Sequence, residues 1–376
     1  MDDTRLISAD SHVNEPGDLW VERIDKPFRD RAPRVMENLP GQKPGSYFVL
    51  EGIPPIHLAQ GTGAGKKPEE LPKFFQSSTY EDRRAGGWDP AERLKDMDLD
   101  GVEADVIYTT LGFRQFWFTD AALQRACFRV YNDWLADYCA YAPKRLAGLA
   151  LISLHDVDEG VKELRRCAGR GLKGALIWAS PPEDKPYSSS TLYDPFWAAA
   201  QDLNMPISLH SITGMGAESR LAIKQPLDRY LRSTVLCHEV QRTLVVLIFS
   251  GALERFPDLK IVSAENEVGW LPFFLQKLDQ AQEEYRYLYP APLKLKPTEY
   301  FRRQVYATFI DDAVGVANRE FIGVPNIMWS SDYPHTVSTW PHSREVVERD
   351  FKGVPADEKR MIVRENVARL YGLALA

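Results

Sequence analysis

Cysteine is scarce in this chain: four residues in 376, at positions 127, 139, 167 and 237, with no CxxC pair among them. That argues against a disulfide framework and reads as free thiols in a reducing compartment, three of them in stretches of helical periodicity. No apolar run approaches the roughly 18 residues that a membrane helix needs. The first ten residues, MDDTRLISAD, are acidic and lack the basic-then-apolar plan of a secretory signal. Basic charge is in deficit as well. With 46 Lys and Arg against 53 Asp and Glu, the net charge of -7 excludes a general nucleic-acid binder, which carries a basic stripe. Neither an internal repeat nor a low-complexity tract occurs. A cytoplasmic protein with no nucleic-acid or membrane partner is the expectation.

What is present is a regular alternation of short apolar runs and amphipathic stretches. The runs cover residues 5–10, 101–110, 145–154, 172–179, 206–210, 259–265, 304–309 and 326–332, eight in all. They are rich in Val, Ile, Leu, Ala and Tyr, as buried parallel strands are. Helical patterns fill the gaps at 89–101, 120–143, 156–171, 193–204, 233–257, 268–288 and 311–323, and two more follow the eighth run. Eightfold alternation predicts a (β/α)8 TIM barrel spanning residues 1–376 as a single domain. An open doubly wound sheet is the alternative, though it usually has fewer strands. Residues 17–87 break the pattern. They are rich in Pro and Gly, as in PGQKPGSYFVLEGIPP and GTGAGKK, and follow the first strand. A stretch that long is expected to act as a cap over the end where barrel active sites form.

The strand ends are unusually polar. The first finishes on Asp10, Ser11 and His12, the fifth on His210, the sixth on Glu265 and Asn266, and the eighth on Asp332, with His335 three residues on. In barrels these ends meet around one rim, and a mixture of imidazole and carboxylate there suits Zn, Fe or Mn. Asp10, His12, His210, Glu265 and Asp332 are therefore the expected ligands of one or two divalent ions. Glu15, Asn266 and His335 are further candidates, as ligands or as their supports. His238, in CHEVQRTL, is either a buried helix histidine or a group reaching the metal or an oxyanion. The aromatic cluster GFRQFWF after the second strand, with Trp178, suggests a bulky apolar or aromatic small-molecule substrate contacting Phe113, Trp117 and Trp178.

Four segments, DSHVNEP, PISLH, LIFSGALERFPDLKIVSAE and MWSSDYPH, together with ENVARLYGL near the C-terminus, resemble the amidohydrolase-2 branch of the amidohydrolase superfamily, the relatives of aminocarboxymuconate-semialdehyde decarboxylase. The resemblance implies metal dependence and a homodimer, and it carries the branch's ligands onto Asp10 and His12, His210 and Asp332. One departure stands out: where the branch's decarboxylases typically show AHGGG, this chain has AENEVGW, so Glu265 replaces a histidine implied in proton transfer. That pattern looks like the branch's metal-dependent hydrolases and thioesterases. The expected reaction is accordingly hydrolysis of an ester, thioester or amide by a metal-activated water, with Asp332 moving the proton and His238 stabilising the oxyanion. A non-oxidative decarboxylase of an aromatic or unsaturated acid is the alternative, and a ligand-binding barrel without catalysis is a third reading.

Overall fold

The computed structural model describes residues 5–58, 63–77, 79–216, 219–220 and 226–375. Eight parallel strands follow one another around a sheet: β1 (Leu6–His12), β5 (Val102–Tyr108), β6 (Leu146–Leu151), β7 (Gly174–Ile177), β8 (Ile207–His210), β9 (Ile261–Ala264), β10 (Val305–Phe309) and β11 (Ile327–Trp329). Each of the eight expected runs supplies one strand. The sheet closes where the ends of β1 and β11 meet, through Asp332 N–H donating to Asp10 O at 3.0 Å and His12 N–H to Tyr333 O at 2.6 Å. The fold is a (β/α)8 barrel. β5, β6 and β7 are buried almost throughout, because a parallel barrel strand faces packed side chains inside and helices outside.

Helix punctuation is visible residue by residue. Asp89 caps the helix Pro90–Asp100 by accepting from Ala91 N–H at 2.8 Å, Pro90 takes the first turn, and Gly101 ends it in the left-handed region at φ 75°. Two expected helices divide. The 233–257 stretch becomes Cys237–Phe249 and Ala252–Arg255, with Gly251 at φ 76° turning the chain between them. The 311–323 stretch divides at Asn318, which ends Ala313–Ala317 and starts Arg319–Ile322.

Between β1 and β5 lies a three-stranded antiparallel sheet, β2 (Arg34–Glu37), β3 (Ser46–Leu50) and β4 (Ile53–His57), in the order β2-β3-β4. The segment is tied to the barrel by buried polar contacts: Trp20 Nε1 donates to Cys127 O at 3.0 Å, and Tyr80 OH to Glu15 O at 2.9 Å. Gly65, Tyr333 and Trp340 meet closely, so part of this segment packs on the loop that follows β11. The four cysteines are free thiols. Among the described residues no helix is long and apolar enough to cross a membrane.

Candidate metal centre

Asp10 and His12 lie two apart on β1, so their side chains share a face, and both are fully buried. His210 closes β8. Glu265 and Asp332 sit just past β9 and β11, each in the left-handed backbone region, at φ 52° and 53°. That conformation is costly for a residue with a Cβ and is characteristic of functional sites. Here it accompanies two strand ends that deliver carboxylates to one spot.

The resulting cluster is compact. His12 Nε2 lies 3.3 Å from Asp10 Oδ1 and 3.0 Å from Asp332 Oδ1. His210 Nε2 lies 3.2 Å from Glu265 Oε2 and 3.5 Å from Asp10 Oδ2. Asp10, His12, His210 and Glu265 can each offer one ligand atom within 4.8 Å of the others, and so can His12, Glu265, Asp332 and His335. The two sets share His12 and Glu265, which makes them one centre.

Hydrogen bonds at the far side of each imidazole orient its free nitrogen inward. His12 Nδ1 bonds Thr109 O at 2.8 Å, and His210 Nδ1 bonds Ser211 O at 2.9 Å. A carbonyl only accepts, so Nδ1 carries the proton and Nε2 presents a lone pair. Six buried atoms are left without a hydrogen-bond partner: both oxygens of Asp10, Nε2 of His12 and His210, Oε2 of Glu265 and Oδ2 of Asp332. Buried polar atoms are normally satisfied. This donor set fits a divalent cation.

The electrostatics agree. Burial opposes charge on His12, but Asp10 and Asp332 outweigh it and hold the imidazole well above its ordinary pKa. Burial likewise opposes charge on Asp332, yet His335 and His12 hold its carboxyl below the usual range. Glu265 is pushed up to about 7, by burial first and then by the Asp332 carboxylate. Without a cation, protons must neutralise the carboxylates; a divalent ion replaces them.

The supporting residues continue outward from Asp332. His335 Nδ1 bonds Asp332 Oδ1 at 2.9 Å, its Nε2 meets Thr110 Oγ1 at 2.9 Å, and its ring stacks on His12 at 3.9 Å between centroids. Phe113 forms an apolar wall, 4.4 Å from the His210 ring. Below the cluster, Arg93 is completely buried. It donates to Asp105 Oδ2 at 2.8 Å, His12 O at 2.7 Å and Ser11 Oγ at 2.8 Å, and so fixes the end of β1. Arg93 escaped the sequence reading, because an arginine in an amphipathic helix is ordinarily a surface residue. Thr110 escaped it as well, although the polar pair closing VIYTT was a signal of the same kind as the other strand ends.

Other expected residues stand elsewhere. Glu15 is buried but its oxygens are occupied, by Thr109 Oγ1, by Leu111 N–H at 2.9 Å and by Thr110 N–H at 3.2 Å. It anchors the loop after β5 and is absent from the ligand sets. His238 is exposed, also outside both sets, while its neighbour Glu239 turns inward to Ser180, Ser219 and Gly216 N–H. Asn266 is held by its own chain, donating to Ala264 O at 2.7 Å. Trp117 is half-buried beside Gly214, to whose carbonyl it donates at 3.1 Å. Trp178 is 1% exposed, bonded to Phe116 O and packed edge-on to His155, a core position rather than an open wall.

The family model described as amidohydrolase matches residues 11–373. The chain belongs to the amidohydrolase family. It shares the fold of an amidohydrolase from Mycobacterium avium subsp. paratuberculosis K-10, with a TM-score of 0.79, 23% identity and coverage of 98% of this chain and 99% of that one. It is 27% identical over 295 residues to the gamma-resorcylate decarboxylase of a Rhizobium species, covering 75% of this chain and 86% of the relative. A 5-carboxyvanillate decarboxylase from Novosphingobium aromaticivorans, complexed with manganese and 4-hydroxy-3-methoxy-5-nitrobenzoic acid, is 25% identical with a TM-score of 0.63, over 75% of this chain and 79% of that one.

These relatives overturn the hydrolytic reading. It rested on Glu265 in place of a histidine and on spare donors for a second ion. Glu15 and His238 provide none, and Glu265 joins the same cluster as His12 and His210. A change of one ligand type at β9 leaves the amidohydrolase centre in place, and the relatives that the chain matches are decarboxylases.

Proposed function

We propose that this amidohydrolase is a divalent-metal-dependent, non-oxidative decarboxylase of an aromatic carboxylic acid bearing an ortho hydroxyl. The observation that carries the reading is the buried centre of unpartnered donors in a chain whose relatives are named for removing carboxylates from hydroxylated benzoates. Asp10, His12, His210 and Glu265 hold the ion, with Asp332 at its edge. Manganese suits such oxygen and imidazole donors, and the N. aromaticivorans relative is complexed with it.

When bound, the ion supplies Lewis acidity that fixes the substrate carboxylate and its ortho oxygen. Asp332 delivers a proton to the ring carbon that bears the carboxylate. The bond from that carbon to the carboxylate then breaks, its electron pair restores the aromatic ring, and carbon dioxide leaves. One proton is consumed per turnover. His335 is the path for its replacement: it bonds Asp332 on one side and Thr110 on the other, and its side chain is 14% exposed where those of Asp332 and His12 are buried. Phe113 excludes water beside His210. The segment 17–87, packed on the loop after β11, caps the site.

The test is carbon dioxide release from 2,6-dihydroxybenzoate and 5-carboxyvanillate by protein stripped with a chelator and reloaded with Mn2+. Stripped protein is expected to fall to background and the reloaded protein to regain turnover. Absence of carbon dioxide from every ortho-hydroxybenzoate offered to the Mn2+-loaded protein would overturn the proposal.

A further inference from the structure

Two arginines near the metal centre have no carboxylate to answer them. Arg114 follows β5, in the same short turn as Phe113, and its guanidinium lies over the Trp117 ring at 4.6 Å. Its Nη1 is fully buried and makes no hydrogen bond. Arg232 lies on the helix Pro226–Val235, which follows β8, and is partly buried. Among the described residues neither forms an ion pair within 4.0 Å, whereas Arg93, also buried, is paired with Asp105.

The two charges are close enough to repel. Arg114 is lowered to about 9, by burial first and then by Arg232, while Glu265 pulls the other way. Arg232 is lowered by burial, again opposed by Glu265. Both guanidiniums therefore feel the carboxylate at the edge of the metal centre without touching it, since Glu265 contacts only His210. Burying an unpaired cation is unfavourable, and placing a second beside it is more so. Such an arrangement is characteristic of a ligand site rather than of a scaffold. Two guanidiniums with free donors match the planar, bidentate geometry of a carboxylate.

We infer that Arg114 and Arg232 form a subsite for a second carboxylate of the substrate, distinct from the one that is lost, so that the preferred substrate is an aromatic dicarboxylic acid. The inference rests on the decarboxylase reading for the reaction, but the subsite is defined by binding. The metal centre holds the carboxylate that departs, and the arginines hold one that stays. Tying the departing group to arginines would oppose its release as neutral carbon dioxide, which is why the pair belongs to the other end of the ring. The aromatic floor between them is Phe113 and Trp117, on the same turn as Arg114.

The first measurement is calorimetric binding of isophthalate and of benzoate to Mn2+-loaded protein, which requires no turnover. Isophthalate is expected to bind at least 10-fold more tightly than benzoate. R114Q and R232Q should each remove most of that difference and leave benzoate unchanged, with R114K retaining part of it. Equal affinities, or a loss shared by both ligands in R232Q, would overturn the subsite. In turnover, the same variants should raise KM for 5-carboxyvanillate by 10-fold or more while altering 2,6-dihydroxybenzoate less than 3-fold. Selective binding without carbon dioxide release would leave the subsite standing and remove the decarboxylase. Carbon dioxide release with unchanged KM in both variants would do the reverse.

Discussion

Asp332→Asn is expected to lower kcat for decarboxylation by about 10²- to 10⁴-fold, the range that a positioned general acid contributes. Asparagine keeps the shape of the side chain and an oxygen for the ion, but it cannot carry the transferable proton. The fold should survive: the Asp332 backbone N–H still donates to Asp10 O, and the carboxylate oxygens hold no cap or turn elsewhere. Bound metal, read by elemental analysis, should remain close to the parent value, because Asp10, His12, His210 and Glu265 form a complete set by themselves. KM should change little. Retained turnover would remove Asp332 from proton transfer. Loss of metal, restored together with activity by excess Mn2+, would make it a ligand only.

Arg93→Ala is expected to destabilise the protein by about 3–5 kcal/mol, the usual result of removing one member of a buried ion pair. Asp105 is left charged, buried and unpaired, and the carbonyl of His12 and the hydroxyl of Ser11 lose their donor. Denaturant unfolding reads this directly. Replacing both partners, as in Arg93→Met with Asp105→Leu, removes the orphaned charge and should recover most of the stability, since apolar replacement of a whole buried pair is often neutral. Activity should stay low in that double variant. Its β1 end still lacks the donors that hold Ser11 and His12, and displacements of about 1 Å at a catalytic group are costly. Full recovery of both properties would show that Arg93 serves only the ion pair.

The prominence of Arg93 illustrates what could be read in advance. The barrel was legible because eight apolar runs alternate with helical patterns, and local periodicity survives folding intact. The candidate ligands were legible for a related reason. Strand ends are where a barrel gathers its chemistry, so a polar residue terminating an apolar run is informative even alone. Glu265 was legible as a position but misleading as a chemical clue. In isolation it suggested a different reaction, while in space it joins the histidines of β1 and β8. Trp178 was misjudged in the opposite direction: its side chain turns into the core, which no spacing in GALIWAS reveals.

Sequence alone determined the element order, the absence of membrane helices from the pattern, and the identity of the side chains that end each strand. All of these depend on neighbours a few residues apart. Tertiary structure alone decided which polar residues remain unanswered. Glu15 and Glu265 are both buried acids, yet one is enclosed by backbone N–H groups and the other faces imidazoles and an empty coordination space. Arg93 and Arg114 are both buried cations, yet only Arg93 meets a carboxylate. Whether a charge is satisfied depends on atoms brought together across about 100 residues or more of chain, and it is this, more than residue type, that separates a site from a scaffold.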